Sequence, residues 1–227
     1  MKAMILAAGR DERMRPLTDH TPKPLLEIAG KPIIVYHIEA LVAAGVQEIV
    51  INHAYLGAQI EATLGDGSEF GAKLRYSPEA TALETAGGIR QALPLLGEQP
   101  FIVCNGDIWT DFPFAQLLQR DWSEPQRRLA HLVMVANPAH HLAGDFVLSS
   151  KGLLRTVASA EGSGLTYSGI SVMHPQFLQA YAPSSGPLLQ PLLAAMDRSL
   201  VTGEYYAGDW IDIGTPQRLQ QARQLAA

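Results

Sequence analysis

Several kinds of residue and segment are scarce in this chain of 227 residues, and each shortage excludes a class of protein. A single cysteine, Cys104, excludes an internal disulfide framework and a cysteine-rich zinc site. No uncharged apolar run approaches the roughly 18 residues that span a bilayer, and no long apolar stretch near Met1 leads to a secretory cleavage signal. We therefore expect a cytoplasmic protein that has no membrane partner.

Basic residues are also few. With 17 lysines and arginines against 22 aspartates and glutamates, the formal net charge at pH 7 is -5. No basic surface is available to follow a nucleic-acid backbone, so we expect no nucleic-acid partner, and any anionic ligand must be held by a local cluster of cations. The apolar fraction of 47% provides a large core and excludes a natively unfolded chain.

The pattern of apolar residues predicts an α/β fold. Apolar, β-rich runs alternate with helical patterns through most of the chain, which is typical of βα units around a largely parallel sheet. The first run is continuous rather than alternating, as in a central strand covered on both faces. Strands are predicted at 2–7, 48–52, 73–77, 101–105, 146–149, 153–158, 165–173 and 210–213, and helices at about 34–44, 57–64, 86–96, 187–197 and 216–225.

These elements predict a doubly wound, Rossmann-like fold with a mostly parallel sheet and a small β-rich lobe. Beyond about residue 140 the pattern becomes irregular and rich in short β-like runs. We expect one domain over residues 1–227, with a core at 1–138, a lobe at 139–200, and a closing strand and helix at 201–227. Because no linker separates these parts, the core and the lobe should form a cleft between them.

The segment from residue 6 to 24 carries the strongest chemical signal. A buried strand ends there in a turn of small residues. Open α/β sheets bind ligands at the edge formed by the carboxyl ends of their strands. Arg13, Arg15 and Lys23 supply the positive charge and donors that suit phosphate oxygens, and the two prolines that flank Lys23 stiffen the loop. The segment matches neither the G-x-G-x-x-G nor the P-loop pattern. From composition alone, a solvated surface loop is an equally good interpretation.

Two aspartates follow short apolar strands elsewhere in the chain. Asp107 comes after the strand at 101–105, and Asp212 lies in the strand at 210–213. Two carboxylates that meet across a cleft are what a hard Mg²⁺ ion bridging phosphate oxygens requires. Taken singly, aspartates at strand ends more often cap loops.

Residues 3–24 resemble the signature of the sugar-phosphate nucleotidyltransferase family, L-A-A-G-x-G-x-R-[ML]-x-P-L-T-x-x-x-P-K-P, at nearly every fixed position. Residues 83–88 resemble the base-pocket loop of that family, 105–107 its strand-end metal aspartate and 210–215 its second aspartate, so the resemblance covers almost the whole chain. It implies that an oxygen of a sugar 1-phosphate attacks the α-phosphorus of UTP in line and that pyrophosphate leaves. Stretches at 51–55, 76–79, 105–111, 140–141 and 168–171 are most similar to a UTP-using subgroup that serves bacterial cell-wall recycling.

The resemblance also implies roles for single residues. Asp107 and Asp212 would be the ligands of Mg²⁺, the implied cofactor. Lys23 would neutralise charge near the α-phosphate and Arg13 would hold the departing pyrophosphate, as the catalytic residues. The implied nucleotide-binding residues are Ala7, Ala8, Gly9, Asp11, Arg13, Glu79, Ala82, Gly87 and Asn105. The residues implied to face the sugar are Gly144, Glu161, Ser168 and Gly169.

The partners that follow are UTP and a sugar 1-phosphate. We expect a monomer, because the assembly domain of longer relatives does not follow the closing helix. Close packing is an alternative role for Gly87 and Gly88. His140 and His141 are predicted to be residues of a loop or hinge, and Cys104 a buried, inert thiol.

The chain departs from the family pattern at three places. Asp11 replaces the second loop glycine, Glu84 stands where many relatives have glycine, and 157–164 lacks the lysine that many relatives place near the sugar phosphate. At a separation of about 5 Å and an effective dielectric near 20, the carboxylate of Asp11 would repel a phosphate charge by roughly 3 kcal/mol. A catalytically inactive nucleotide-binding protein is therefore an alternative hypothesis. Two further alternative hypotheses keep nucleotidyl transfer as the reaction and change the substrates, to GTP with mannose 1-phosphate or to CTP with phosphocholine.

Overall fold

The structure, a computed structural model, describes residues 1–10, 12–122, 128–157, 162–181 and 183–226. Two of the predicted site residues, Asp11 and Glu161, lie outside the described residues. Within the described ranges no helix is both long enough and apolar enough to cross a bilayer.

The strands and helices follow one another in alternation through the first half of the chain. Its elements are β1 (Lys2–Ala7), β2 (Glu27–Ile28), β3 (Lys31–Pro32), α1 (Ile33–Ala43), β4 (Glu48–His53), α2 (Gly57–Leu64), β5 (Lys73–Pro78), α3 (Glu84–Leu96), β6 (Phe101–Asn105), β7 (Ile108–Thr110) and α4 (Ala115–Leu118). The second half contains β8 (Ala130–Val135), β9 (Phe146–Leu148), β10 (Leu154–Thr156), β11 (Thr166–Met173), α5 (Pro175–Tyr181), α6 (Leu189–Asp197), β12 (Val201–Tyr205), β13 (Trp210–Asp212) and α7 (Pro216–Leu225).

Seven of these strands form the central sheet, in the order β12, β8, β11, β6, β1, β4, β5. β1 is parallel to both β4 and β6, β5 is parallel to β4, and β12 is parallel to β8. β11 lies between β6 and β8 and is antiparallel to both. The predicted α/β fold with a mostly parallel central sheet is therefore confirmed.

Side chains of the central strands alternate between two cores, one on each face of the sheet. Met4 of β1 packs with Ala86 and Ile89 of α3, whereas Ile5 packs with Ile34 of α1 on the opposite face. A strand covered on both faces needs apolar residues at successive positions, which explains the unbroken apolar run of β1. Helices cover both faces, as in doubly wound folds.

The chain changes its direction of travel across the sheet next to β1. It passes through α1 to β4 and through α2 to β5 on one side of β1, and α3 then carries it back to β6 on the other side. The carboxyl ends of β1 and β6 therefore lie side by side while their following loops diverge. Such a switch point opens a crevice in which α/β proteins bind ligands.

The second half of the chain is less regular than the first. β11 lies inside the main sheet although its residues fall in the predicted lobe, whereas β9 and β10 form a separate two-stranded ladder. A single bridge between Phe146 and Leu165 connects β9 to the residue before β11. Five strands were not predicted from the sequence, namely β2, β3, β7, β8 and β12. The division of the chain at residues 138 and 200 stays a prediction.

A small third core joins the two ends of the chain. Met14, from the turn after β1, packs with Ile28, with Ile213 after β13, and with Leu219 of α7. This packing brings the segment that carries Arg13 next to the closing helix.

Candidate active site

A first cavity of about 330 Å³ opens at the carboxyl ends of β1, β4 and β6, where the strand order predicts a ligand crevice. Its lining residues are Leu6, Ala7, Ala8, Gly9, Arg10, Pro24, Asn52, Glu79, Ala82, Glu84, Thr85, Asn105 and Asp107. The structure therefore brings together these predicted nucleotide-binding residues: Ala7, Ala8, Gly9, Glu79, Ala82 and Asn105.

Two buried polar side chains connect the walls of the first cavity. Oδ1 of Asn52 accepts a hydrogen bond from the backbone N–H of Ala7 (3.0 Å), and its Nδ2 donates to Oε1 of Glu79 (2.7 Å). The other carboxylate oxygen of Glu79 accepts from the backbone N–H of Leu83 (2.9 Å). Because Asn52 and Glu79 are 3% and 6% exposed, removal of either one leaves a buried polar group without its partner.

Two predicted nucleotide-binding residues lie outside the first cavity. Gly87 packs within α3 against the backbone of a neighbouring loop, and a Cβ built on it would lie 2.8 Å from the carbonyl oxygen of Ser184. This placement matches the close-packing alternative for that glycine. Arg13 lines a third cavity, which is described below.

Lys23 forms an ion pair with Asp107 at the edge of the first cavity. Its Nζ donates to Oδ2 of Asp107 at 2.7 Å. The lysine side chain is 1% exposed, whereas that of Asp107 is 39% exposed. The ammonium group is therefore covered, but it contacts a carboxylate that faces the cavity instead of lying among apolar groups alone.

A two-stranded ladder brings the two predicted metal ligands together from distant parts of the chain. β7 pairs with β13 in antiparallel register, with Asp212 opposite Ile108. The backbone N–H of Ile213 donates to the carbonyl oxygen of Asp107 (2.8 Å). Asp107 and Asp212 are therefore close neighbours on adjacent segments.

The carboxylate of Asp212 contacts two nitrogen-bearing side chains. Nη1 of Arg218 lies 3.1 Å from Oδ1 and 3.0 Å from Oδ2, and Nε2 of His140 lies 3.1 Å from Oδ1. The Asp212 side chain is 28% exposed, so solvent and small ions can reach it.

The pair Asp107 and Asp212 fits a magnesium ion by the chemistry of its donors. Both offer carboxylate oxygens, which Mg²⁺ prefers. In the ranges that the structure describes, no group of three or more His, Cys, Asp and Glu side chains is arranged to hold a metal. Two carboxylates suffice for Mg²⁺ where phosphate oxygens and waters fill its other positions, as in phosphate-transferring sites.

A second cavity of about 290 Å³ adjoins the first and shares Asn105 and Asp107 with it. Its lining residues are Asn105, Asp107, Ile108, Pro138, His140, His141, Asp145, Thr166, Tyr167, Ser168, Trp210 and Asp212. Ligands in the two cavities would therefore meet at Asn105 and Asp107.

The predicted sugar-facing residues are placed differently from one another. Ser168 lines the second cavity. Gly169 has a φ of +85°, and a Cβ there would lie 2.7 Å from the Asn105 side chain, so this glycine makes room for Asn105 at the junction of the cavities. Gly144 lies in a turn outside the lining of the second cavity, and Glu161 is outside the described residues.

Burial keeps several titratable groups around the second cavity neutral. Burial lowers the pKa of His37 to about 4, although its hydrogen bond to the carbonyl oxygen of Ile108 (2.9 Å) opposes this shift. Burial raises the pKa of the Cys104 thiol far above its usual range, in agreement with the predicted inert thiol. It also raises the pKa of Tyr167, whose hydroxyl donates to Oγ of Ser171 (2.9 Å).

Sequence reasoning missed several residues of the site. Asn52 is the last residue but one of the apolar strand β4, and Asn105 is the last residue of β6. A polar residue at the carboxyl end of an apolar run is the signal that could have identified Asn52. His140 and His141 line the second cavity, although the sequence indicates only a loop there. Arg218 lies in a polar helix and reaches Asp212 only through the packing of α7 on β13, for which the sequence carries no local signal.

Comparisons with known proteins agree with this geometry. Residues 2–146 match the family model described as "Nucleotidyl transferase". The chain is 52% identical over 228 residues to "N-acetylmuramate alpha-1-phosphate uridylyltransferase" of Neisseria meningitidis serogroup B, with 100% of this chain and 98% of that protein covered. It is 38% identical over 227 residues to the protein of the same name from Caulobacter vibrioides, with 95% and 92% covered.

The chain is also similar to more distant proteins that are named for other substrates, and to solved structures. The "Mannose-1-phosphate guanylyltransferase catalytic subunit beta" of Drosophila melanogaster is 31% identical over 226 residues, which cover 95% of this chain and 60% of that protein. A solved structure from Bacillus anthracis, described as a glucose-1-phosphate thymidylyltransferase, superposes with a TM-score of 0.86 at 22% identity and covers 100% of this chain and 95% of that one. That likeness shows the fold alone. On the family match and the full-length identity, the chain belongs to the nucleotidyl transferase family of enzymes.

Proposed function

We propose that this protein transfers a uridylyl group from UTP to N-acetylmuramic acid 1-phosphate, which yields UDP-N-acetylmuramic acid and pyrophosphate. The observation that carries the proposal is the meeting of two cavities at Asn105 and Asp107, beside a second carboxylate, Asp212. The full-length similarity to named uridylyltransferases supplies the choice of substrates.

In this proposal the first cavity takes the nucleotide and the second takes the sugar. The backbone of Ala7, Ala8 and Gly9 allows close approach of UTP, and Glu79 lies within the wall that faces its base and ribose. The second cavity offers hydroxyl, imidazole and carboxylate groups, which suit the hydroxyl-rich surface of a sugar. We assign contacts with the nucleotide to Ala82 and Asn105 and a contact with the sugar to Ser168, and Asp11 and Glu161 remain predicted contacts. Gly87, Gly144 and Gly169 act through packing.

The reaction is a displacement at phosphorus. An oxygen of the sugar 1-phosphate bonds to the α-phosphorus of UTP, the bond from that phosphorus to the oxygen of the β-phosphate breaks, and pyrophosphate leaves with the electron pair. Lys23 neutralises charge where the two phosphates meet, and Arg13 holds the pyrophosphate. A bound Mg²⁺ at Asp107 and Asp212 would neutralise and orient phosphate oxygens. The protein's own contribution is positioning and electrostatic stabilisation, with no covalent intermediate.

A matrix of substrates tests the proposal. The purified chain with Mg²⁺ is incubated with UTP, GTP or CTP against N-acetylmuramic acid 1-phosphate, mannose 1-phosphate or phosphocholine, and pyrophosphate release is measured. We expect the highest kcat/KM for UTP with N-acetylmuramic acid 1-phosphate. Exclusive use of GTP with mannose 1-phosphate, or of CTP with phosphocholine, would overturn the assignment of substrates.

The inactive nucleotide-binding protein remains the second candidate, because Asp11 stands where the family pattern has glycine. We expect Asp11→Gly to release pyrophosphate faster than the natural chain. The matched variant Asp11→Asn removes the charge and keeps the side chain, so it separates electrostatic repulsion from backbone conformation. Binding of UTP in calorimetry with no turnover for any sugar phosphate would favour the inactive protein. Cytoplasmic location and the monomeric state remain predictions.

A further inference from the structure

A third cavity, of about 810 Å³, continues from the second one toward the closing helix. His140, Trp210 and Asp212 line both cavities, so the two are connected. Arg13 and Arg218 also line the third cavity. It therefore combines two guanidinium groups with the predicted metal ligand Asp212.

Gly214 lets the two guanidinium groups approach the same backbone position. A Cβ built on this glycine would lie 2.0 Å from Nη2 of Arg218 and 3.4 Å from Nη2 of Arg13. Two like charges at close range repel each other, and an anion bound between or beside them is attracted to both and offsets the repulsion. Guanidinium groups in such pairs suit the planar spacing of phosphate oxygens.

Among the described residues that line this cavity, arginines outnumber carboxylates. Asp212 is the one carboxylate that the described residues contribute to the lining, and it already contacts Arg218. Among the described residues Arg13 has no ion-pair partner, and the buried Nε of Arg218 has no hydrogen-bond acceptor. If Asp212 held a divalent cation, its negative charge would be less available to Arg218. The cavity is therefore electrostatically suited to an anion.

The closing helix, α7, adds to the positive electrostatic potential of the third cavity. α7 has ten residues, its N-cap is Thr215, and the hydroxyl oxygen of Thr215 accepts from the backbone N–H of Arg218 (3.3 Å). Thr215 and Arg218 both line the third cavity, so the partial positive charge of the helix N-terminus lies at its wall. Arg218 stands in the first turn, where the helix holds it close to that wall.

We propose that Arg218 is a further phosphate-binding residue, which binds a phosphate group in the third cavity together with Arg13 and holds Asp212 between turnovers. The inference deepens the proposed function and rests on it for the source of the phosphate. That source is either the departing pyrophosphate or the phosphate of the sugar substrate. Arg218 contacts the phosphate directly in this proposal, and its contact with Asp212 is a second, positioning role.

Binding measurements on Arg218 variants test the inference. Arg218→Gln removes the charge and keeps a hydrogen-bond donor, whereas Arg218→Lys keeps the charge and loses the two-pronged geometry. Arg223→Gln is the matched control, because it removes a positive charge from the same helix at a residue whose Nε donates to the carbonyl oxygen of Glu27, away from the cavity. Calorimetry with inorganic pyrophosphate alone and with N-acetylmuramic acid 1-phosphate alone gives the two dissociation constants, with and without Mn²⁺.

We expect Arg218→Gln to weaken binding of one of these ligands by about tenfold or more, Arg218→Lys to weaken it less, and Arg223→Gln to leave it unchanged. The ligand affected identifies the source of the phosphate. Unchanged affinity of Arg218→Gln for both ligands would overturn the inference. The melting temperature of each variant shows whether it folds. If Arg218→Gln does not fold, the affinities of Arg218→Lys for the two ligands are used for the test instead.

Binding of Mn²⁺ without any anion, followed by electron paramagnetic resonance, separates the two roles of Arg218. If Arg218→Gln changes only the affinity for Mn²⁺, the residue merely orients Asp212 and the inference is wrong. The proposed function is judged separately, by the substrate matrix. A chain that binds pyrophosphate through Arg218 but uses another nucleotide would contradict the proposed function and keep this inference.

Discussion

The two sides of the cleft are built in different ways. The first cavity is formed by residues that follow the parallel strands β1, β4 and β6, and parallel strands bring their carboxyl ends to one edge whatever lies between them. The second cavity depends on two antiparallel pairings of distant segments, β11 with β6 and β13 with β7, and the third cavity adds residues of β13 and α7. The first side, which is the first cavity, therefore follows from local βα units. The second side, which is the second and third cavities, requires contacts between segments that are far apart in the chain.

The two sides also differ in how their polar groups are held. Asn52 and Glu79 on the first side are buried and hydrogen-bonded to each other and to the backbone. On the second side, the pair of His141 and Asp145 (3.0 Å) has side chains that are 40% and 36% exposed. Exposed pairs contribute little stability and rearrange at low cost. The His141–Asp145 pair therefore rearranges at lower cost than the Asn52–Glu79 pair, although Thr166 and Ser168 of the second cavity are also buried.

The largest expected effect comes from Asp107, because it belongs to both cavities. Asp107→Asn removes a predicted metal ligand and the carboxylate charge that the buried ammonium of Lys23 contacts. We expect kcat for pyrophosphate release to fall at least about 100-fold, by analogy with the loss of one preorganised electrostatic contact, and binding of Mn²⁺ to weaken. Asp111→Asn, four residues further along and outside the lining of the three cavities, is the control. Equal loss in both variants would contradict a specific role for Asp107.

A pair of asparagine variants tests whether the two sides act separately. Asn52→Ala leaves Oε1 of the buried Glu79 carboxylate without the side-chain donor of Asn52, so we expect a loss of about 1–3 kcal/mol in the free energy of unfolding and a raised KM for UTP. Asn137→Ala removes bonds to the carbonyl oxygens of Leu142 and Gly164 (3.0 and 2.8 Å), beside the second cavity. That change should raise the KM for the sugar phosphate instead.

The measurement is a set of denaturant unfolding curves together with separate KM values for the two substrates. If either asparagine variant raises both KM values by the same factor, the two sides are coupled and the contrast drawn between them is wrong.

The same contrast explains how much of the molecule its sequence predicts. β1, β4 and β6 are continuous apolar runs that end in small or polar residues, so both the strands and the residues at their ends can be predicted. α7 occupies the predicted residues 216–225 because Thr215 and Pro216 are strong start signals. The signal in both cases is local.

The remaining features depend on pairings between distant segments. No local pattern indicates that β13 pairs with β7 or that β12 joins the edge of the sheet beside β8. The family signature predicted Asp212 as a metal ligand, but its neighbours His140 and Arg218 follow from tertiary packing. Asp11 and Glu161 stay predictions, since they lie outside the described residues.

The pH dependence of stability tests the burial of His37 below the site. His37 lies beneath β7, and burial lowers its pKa from 6.5 to about 4. Between these values the unfolded chain binds more protons than the folded one, so stability is full above pH 6.5 and is lost as the pH falls toward 4. His131 and His174 shift in the same direction, each through burial. We expect the free energy of unfolding to fall by about 1 kcal/mol per pH unit in this window.

Unfolding curves between pH 7 and pH 4.5 measure the slope. His37→Gln keeps a donor for the carbonyl oxygen of Ile108 and does not titrate, so its slope should be smaller. An unchanged slope would show that other groups dominate the acid sensitivity.

The smallest expected effect concerns the backbone of the first side at Glu84. This residue has a φ of +58°, in the left-handed region that favours glycine, and the sequence departs from the family's glycine there. Because a side chain in that conformation costs about 1 kcal/mol, Glu84→Gly should raise the melting temperature by roughly 2–4 °C. Glu84→Ala removes the same charge and keeps the Cβ, so it should give no comparable gain. If alanine stabilises as much as glycine, the carboxylate rather than the backbone is the source of the strain, and the first side is less well fixed than its hydrogen bonds indicate.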